Sequence, residues 1–304
     1  MAKENKTTPE TTAVVDTSKI SPRQSELRRV FRVFFGRKIA VFGLIIIVIL
    51  ILTAILAPHL APYDPNKMSL GEKLQQPTPR HLLGTDSLGR DTLSRVIYGT
   101  RPSLMVGIGA VGLAAIIGGS LGLLAAYSGG AVYAVIMRFT DALMATPMIL
   151  NALIITSVLG GGLKNVIIAL SVGMVSGHCR MMCGQAMTVK QNDYILATRS
   201  MGASALRIML RHILPNAFPP ILVMITIGLG TTILAEAGLS FLGLGIAPPQ
   251  PAWGGMVNDG YKYVLTNPIL SFAPGIAIGL VVFGFNMMGD GLRDSLDPRL
   301  RGLL

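Results

Sequence analysis

The sequence predicts an all-α polytopic membrane protein with six transmembrane helices, and three observations carry that expectation. The 304 residues are 51% hydrophobic and only 13% charged, with a mean hydropathy of +0.59. That balance belongs to lipid-facing chains rather than to soluble cores. Six apolar runs of spanning length recur, at 39–57, 104–126, 132–159, 166–187, 218–241 and 269–288. With the N-terminus inside, sixteen Lys and Arg fall on the inner side and eight on the outer, in the sense of the positive-inside rule. The net charge of +11 does not point to nucleic acid, because nine of the 26 Lys and Arg crowd into residues 1–38 beside the first span, where anionic lipid accounts for them.

Residues 1–38 read as a cytoplasmic tail, polar and disordered over 1–25. Arg28, Arg29, Arg32, Arg37 and Lys38 lead into the span 39–57, an uncharged run of about 28 Å as a helix. The leader is too long for a signal peptide, so this span is expected to stay uncleaved. Residues 58–101 hold five prolines and are too polar to cross, which places them outside. The remaining five spans form a core over 102–290, and 291–304 is a second cytoplasmic tail. Thirty-five glycines favour a bundle whose helices approach closely.

Between the fourth and fifth spans lies the polar-basic loop 188–216. Within it, Asp193 to Pro215 reads as two short amphipathic helices hinged at Gly202-Ala203-Ser204, with Ser204 as N-cap of the second and Pro215 as its stop. Arg199, Arg207, Arg211 and His212 lie among its apolar residues. Ala197, Met201 and Ile208 centre an apolar face suited to a groove on another protein. Gly202 permits a turn or a close backbone approach that a side chain forbids.

Other candidates are few. Gly84 and Gly89 have P-loop spacing, but Arg90-Asp91 replace the Lys-Ser/Thr that holds phosphate and magnesium, which argues against ATP hydrolysis by this chain. Asp86 and Asp91 read as local caps paired with Arg90 and Arg95. Arg138 and Asp141, three apart, can neutralise one another on a helix face. Glu236, near the outer end of the fifth span, has two readings: a bond to a partner helix, or a place on a translocation path. Asn286 is polar at a span end. Trp253 reads most simply as an interfacial anchor, or else as part of the outer face. His178, Cys179 and Cys183 sit too close together on one span to make a good metal cage, so packing is the preferred reading.

These residues also carry a family resemblance. Ala197, Gly202 and Ile213-Leu214-Pro215 resemble the EAA loop of ABC importer permeases. Four longer elements resemble the dipeptide, oligopeptide and nickel permeases in order: GTD-x-LGRD-x-x-SR from Gly84, GAS-x-LRI-x-LRHILPNA from Gly202, E-x-x-LSFLGLG from Glu236, and N-x-x-GD-x-LRD-x-LDPR from Asn286. Leu196 and Thr198 depart from the pattern, standing where the family often has Glu and Ala. The resemblance implies the second permease of a peptide system in a bacterial or archaeal plasma membrane, with loop 188–216 as its coupling helix. It also implies a homologous permease, two cytoplasmic ATPases that use ATP and magnesium, and an extracytoplasmic binding protein. No cofactor is expected on this chain. Cargo among dipeptides, longer peptides, glutathione and nickel stays open. A secondary transporter would need repeats or an ion relay, and an intramembrane hydrolase a Ser, His and acid set; neither stands out.

Overall fold

A computed structural model describes residues 26–296, and the tail over 1–25 and the end from 297 lie outside the described residues. Eleven α-helices are present among these residues: α1 (Glu26–Gly36), α2 (Lys38–Leu60), α3 (Thr92–Ser128), α4 (Gly130–Met144), α5 (Met148–Leu159), α6 (Leu163–Lys190), α7 (Asp193–Ser200), α8 (Ala205–Arg207), α9 (Leu214–Phe241), α10 (Trp253–Tyr261) and α11 (Ile269–Leu296). Five stretches are long and apolar enough to cross a membrane, and the pair α4–α5, bent by 85°, makes a sixth if counted as one broken span. In hydrocarbon every backbone polar group must be satisfied within the chain, and helices do this segment by segment.

The helices extend past the apolar runs that reveal them. The second span begins at Thr92, ten residues before the predicted core boundary at 102, because Asp91 caps it: its carboxylate accepts from the Ser94 N–H at 2.8 Å. The run 132–159 breaks at Thr146-Pro147. Proline disfavours helical geometry in the residue before it, and Asn151 Nδ2 donates to the Leu143 carbonyl (3.1 Å) that the break leaves open. Asp290 and Asp294 both lie within α11, where Asp294 pairs with Arg37.

The segment 61–91 folds onto the start of α3 as the capped turn expected from the sequence. Asp86 takes the Arg90 guanidinium at 2.6 Å and the Arg95 guanidinium at 3.6 Å. Asp91 also holds His81 Nδ1 at 2.8 Å, and Ser94 Oγ accepts from the Tyr63 N–H at 3.0 Å. Arg95 donates to the Pro65 carbonyl at 3.0 Å. Trp253 is neither an interfacial anchor nor an outer face. It is buried, its Nε1–H donates to the Val96 carbonyl at 2.9 Å, and its ring lies against Gly99. An indole whose N–H finds a partner inside is a core residue.

The centre of the bundle is the contact between α3 and α6. A Cβ at Gly122 would meet the Cys183 amide nitrogen at 3.0 Å, and one at Gly118 would meet His178 Cβ at 2.9 Å. Cys179 and Cys183 are buried here as packing residues against α3. Such a small-residue seam gains dispersion contact and excludes lipid. Gly122→Ala is expected to push the two backbones apart and cost about 1–3 kcal/mol. The check is the thermal unfolding midpoint of the purified chain, and an unchanged midpoint would show the seam to be loose.

Candidate functional site

The loop after α6 is built from buried apolar pegs and an exposed outer surface. Ile195 of α7, and Ile208 and Ile213 of the π-helical turn Ile208–Ile213, are buried in a cluster with Leu123 and Ala126 of α3 and Met182, Ala186 and Val189 of α6. Lys190 Nζ donates to the carbonyls of Ala126 (3.0 Å) and Tyr127 (2.8 Å), closing the end of α3 onto the end of α6. These contacts fasten the loop to the bundle through two helices at once.

Its turn has a full set of capping bonds. The Gly202 N–H donates to Arg199 O at 3.0 Å and the Ala203 N–H to Thr198 O at 3.3 Å, the Schellman pattern that ends a helix. Gly202 has φ +82°, and a Cβ built there meets nothing within 4 Å. Within this chain the glycine therefore serves the turn rather than a close approach. Ser204 is the N-cap of α8, its Oγ accepting from the Arg207 N–H at 3.4 Å. Asp193 opens α7, where a negative charge favours the helix start.

Two expectations for the loop are corrected. Pro215 does not stop the second helix. The chain passes from α8 through the π-helical turn into α9, and Ala205–Phe241 is one apolar span. A proline ring clashes with the carbonyl four residues back, here that of Arg211; the wide turn, with the Leu214 N–H bonded to Met209 O, absorbs that mismatch. Nor is Ile208 on the outer face: it is 1% exposed. The left-handed turn at Gly202 resets the helical phase, so a periodicity run across it assigns the wrong side. Ala197 and Met201 are exposed as expected, and the outer surface is completed by Tyr194, Leu196, Leu206 and Leu210, with Arg199, Arg207 and Arg211 around them.

The intramembrane candidates scatter. Asp141 pairs not with Arg138 but with Arg180 of α6, at 2.5 Å; the i,i+3 spacing was available, but the pair forms across α4 and α6. Arg138 is exposed. Arg180, inside the apolar run 166–187, was the partner that spacing along one helix could not reveal. Glu236 is fully buried and accepts from Ser240 Oγ at 2.5 Å, one turn along its own helix, while Ser240 Oγ accepts from the Ile246 N–H at 3.1 Å. Asn286 is half-buried in α11. The sequence-derived candidates thus divide into one organised loop and separate groups that do not meet in a common site.

Residues 118–302 match the family described as the binding-protein-dependent transport system inner membrane component. The chain belongs to this family. The match takes in the whole loop and the third to sixth predicted spans, while residues 25–77 match the N-terminal membrane domain of oligopeptide transport permease C. The permease is 42% identical to a dipeptide transport system permease protein of Alkalihalophilus pseudofirmus over 91% of each chain. It is 41% identical to a glutathione transport system permease protein of Pectobacterium atrosepticum, over 90% of this chain and 91% of that one. It is 39% identical to a di/tripeptide transport system permease protein of Pseudomonas aeruginosa, over 94% and 96%. A solved structure of the MetNI methionine ABC transporter, in an inward-facing conformation, has a TM-score of 0.55 at 20% identity, covering 67% of this chain and 97% of its own, and shares the fold.

Beside the loop, the permease has an open cleft of about 880 Å³ between α6, α9 and α11, lined by Met181, Gln185, Met224, Thr231 and Arg293 among others. His178 of α6 borders it; its Nδ1 donates to the Met174 carbonyl at 3.0 Å, since a carbonyl can only accept. The loop makes a testable demand on its turn. Gly202→Ala is expected to cost about 1 kcal/mol from backbone strain alone, and Gly202→Asn less, because asparagine tolerates that region better. Chemical unfolding of the two purified variants checks the order, and equal stability of Gly202→Ala and the parent would rule out a left-handed turn.

Proposed function

We propose that this permease forms half of the translocation pathway of an ATP-driven importer of short peptides, and that the loop over 188–216 is the surface on which a separate ATPase subunit docks. The observation that carries this reading is the construction of the loop. Leu196 (67% exposed), Met201 (81%) and Leu206 (62%) face outward on a platform whose Ile195, Ile208 and Ile213 are locked into the bundle. An apolar patch held this firmly in a polar-basic loop marks an interaction site. The other half of the pathway would come from a homologous permease, with the cleft of α6, α9 and α11 on the passage side.

In this reading the N- and C-termini are cytoplasmic, an extracytoplasmic binding protein delivers cargo to the opposite face, and two ATPases bind and hydrolyse ATP with magnesium. This chain holds no cofactor and performs no catalysis. ATP-driven closure of the ATPases would carry the loop with it, and α9, continuous with the loop, would turn. The named relatives handle dipeptides, di/tripeptides and glutathione, all short peptides, which supports that cargo class over nickel complexes.

Purification of the tagged chain from its host in mild detergent tests the assembly. A second permease and ATPase subunits should accompany it; a chain that stays alone, yet transports in vesicles without ATP, would make it a secondary transporter. Met201→Asp with Leu206→Asp is expected to leave insertion normal and to lower ATPase recovery at least tenfold, because two charges are buried unpaired at the contact. Gly202→Trp is expected to insert, yet to abolish transport and coupled ATP hydrolysis. Full transport by that variant would end the coupling role.

A further inference from the structure

The helix α1, ahead of the first span, has a surface that neither the transport reading nor the loop uses. It is amphipathic, ELRRVFRVFFG over Glu26–Gly36, and is set apart from α2 by Arg37 in an extended conformation (φ −94°, ψ 103°). One part of its apolar side is occupied. Phe34 approaches Gly291 of α11, and Arg37 pairs with Asp294 of the same helix, which fixes α1 beside the end of α11. The other part is open: Phe31 is 60% exposed and Phe35 54%, their rings stacked with centroids 6.2 Å apart. Around the helix from these rings stand Arg28 and Arg32, both exposed, with Arg29 half-buried beyond them. Over residues 26–38 there are five Lys and Arg against one Glu.

Depth decides what this face meets. The span α2 starts at Lys38 and is apolar from Ile39 onward, so α1, which ends one residue before Arg37 at Gly36, reaches the bilayer surface at its C-terminal end. A helix at that depth, with a phenylalanine pair beside an arginine row, matches an interface made of acyl chain and headgroup. We propose that α1 lies in the membrane surface, with Phe31 and Phe35 in the acyl boundary and Arg28, Arg29 and Arg32 on the phosphates of anionic phospholipids. The occupant is the bilayer rather than a protein, because charge and apolarity alternate around the helix at the depth where headgroup and acyl chain meet. Through Phe34 and Arg37 the anchored helix would also hold the end of α11. The inference requires that α2 spans the bilayer and is independent of the cargo.

The test uses the full chain. Cys179 and Cys183 are buried, so a cysteine introduced by Phe31→Cys can be labelled selectively with an environment-sensitive fluorophore. The labelled chain is placed in vesicles of phosphatidylcholine with or without phosphatidylglycerol. The expected result is shielding from aqueous iodide, quenching by lipids spin-labelled near the glycerol, and enrichment of phosphatidylglycerol around the purified chain. In Arg28→Gln/Arg29→Gln/Arg32→Gln most of the enrichment should be lost, and the matching triple lysine variant should keep most of it. If the glutamine variant does not insert, raising the salt concentration on the parent chain reads the same charge, since screening should reduce the enrichment. The proposal is overturned by a label open to iodide in both vesicles. It is equally overturned by enrichment insensitive to both the substitutions and salt, or by shielding that appears only when ATPase subunits are added.

Discussion

The close approach of α3 and α6 is the constraint on which the rest of the structure depends. Lipid offers no hydrophobic force to press two helices together, so the contact must come from shape. Gly118 and Gly122 supply that shape by letting the α6 backbone come near where any side chain would hold it off. The same two helices then offer their ends, through Leu123 and Ala126 on one and Met182 and Val189 on the other, as the socket for Ile195, Ile208 and Ile213. A loop that looks free in the sequence is seated on the tightest seam of the bundle.

The outer end of α3 is governed by a different economy. Asp91 serves at once as helix cap, partner of His81 and acceptor for the Ser94 hydroxyl, and Asp86 gathers two arginines. Buried charges survive only when paired and fully bonded, and this cluster meets that condition with backbone carbonyls as well as side chains. It joins the outer segment to α3, and the buried Trp253 joins α10 to the same turn of helix through the Val96 carbonyl. The motif from Gly84 to Arg95 forms a structural clasp.

What was legible in the sequence was whatever a short window contains. Apolar runs marked the long helices, Asp91 and Ser204 were readable as caps, and a glycine at position 202 announced a turn. What escaped depended on relations between windows. The 85° bend between α4 and α5 had a local signal in Pro147, but the apolar run around it concealed the break. The side on which Ile208 lies could not be obtained from a periodicity carried across a left-handed residue. Arg180 pairs with Asp141 from another helix, and a burial such as that of Trp253 exists only after α3 and α10 have met.

The passage from the loop into α9 without a stop has one more consequence. Ala205–Phe241 is 37 residues, a rod of about 55 Å if regular, with the exposed apolar surface of the loop at one extremity and Glu236 and Ser240 near the other. Thermodynamic linkage has no preferred direction: if something bound at the first extremity biases the tilt of the rod, anything gripping the second must bias the first by the same free energy. The π-helical turn is the one irregular joint along it. If the loop receives an ATPase as proposed, a signal passing between the two extremities would cross this turn and need no further element of the chain.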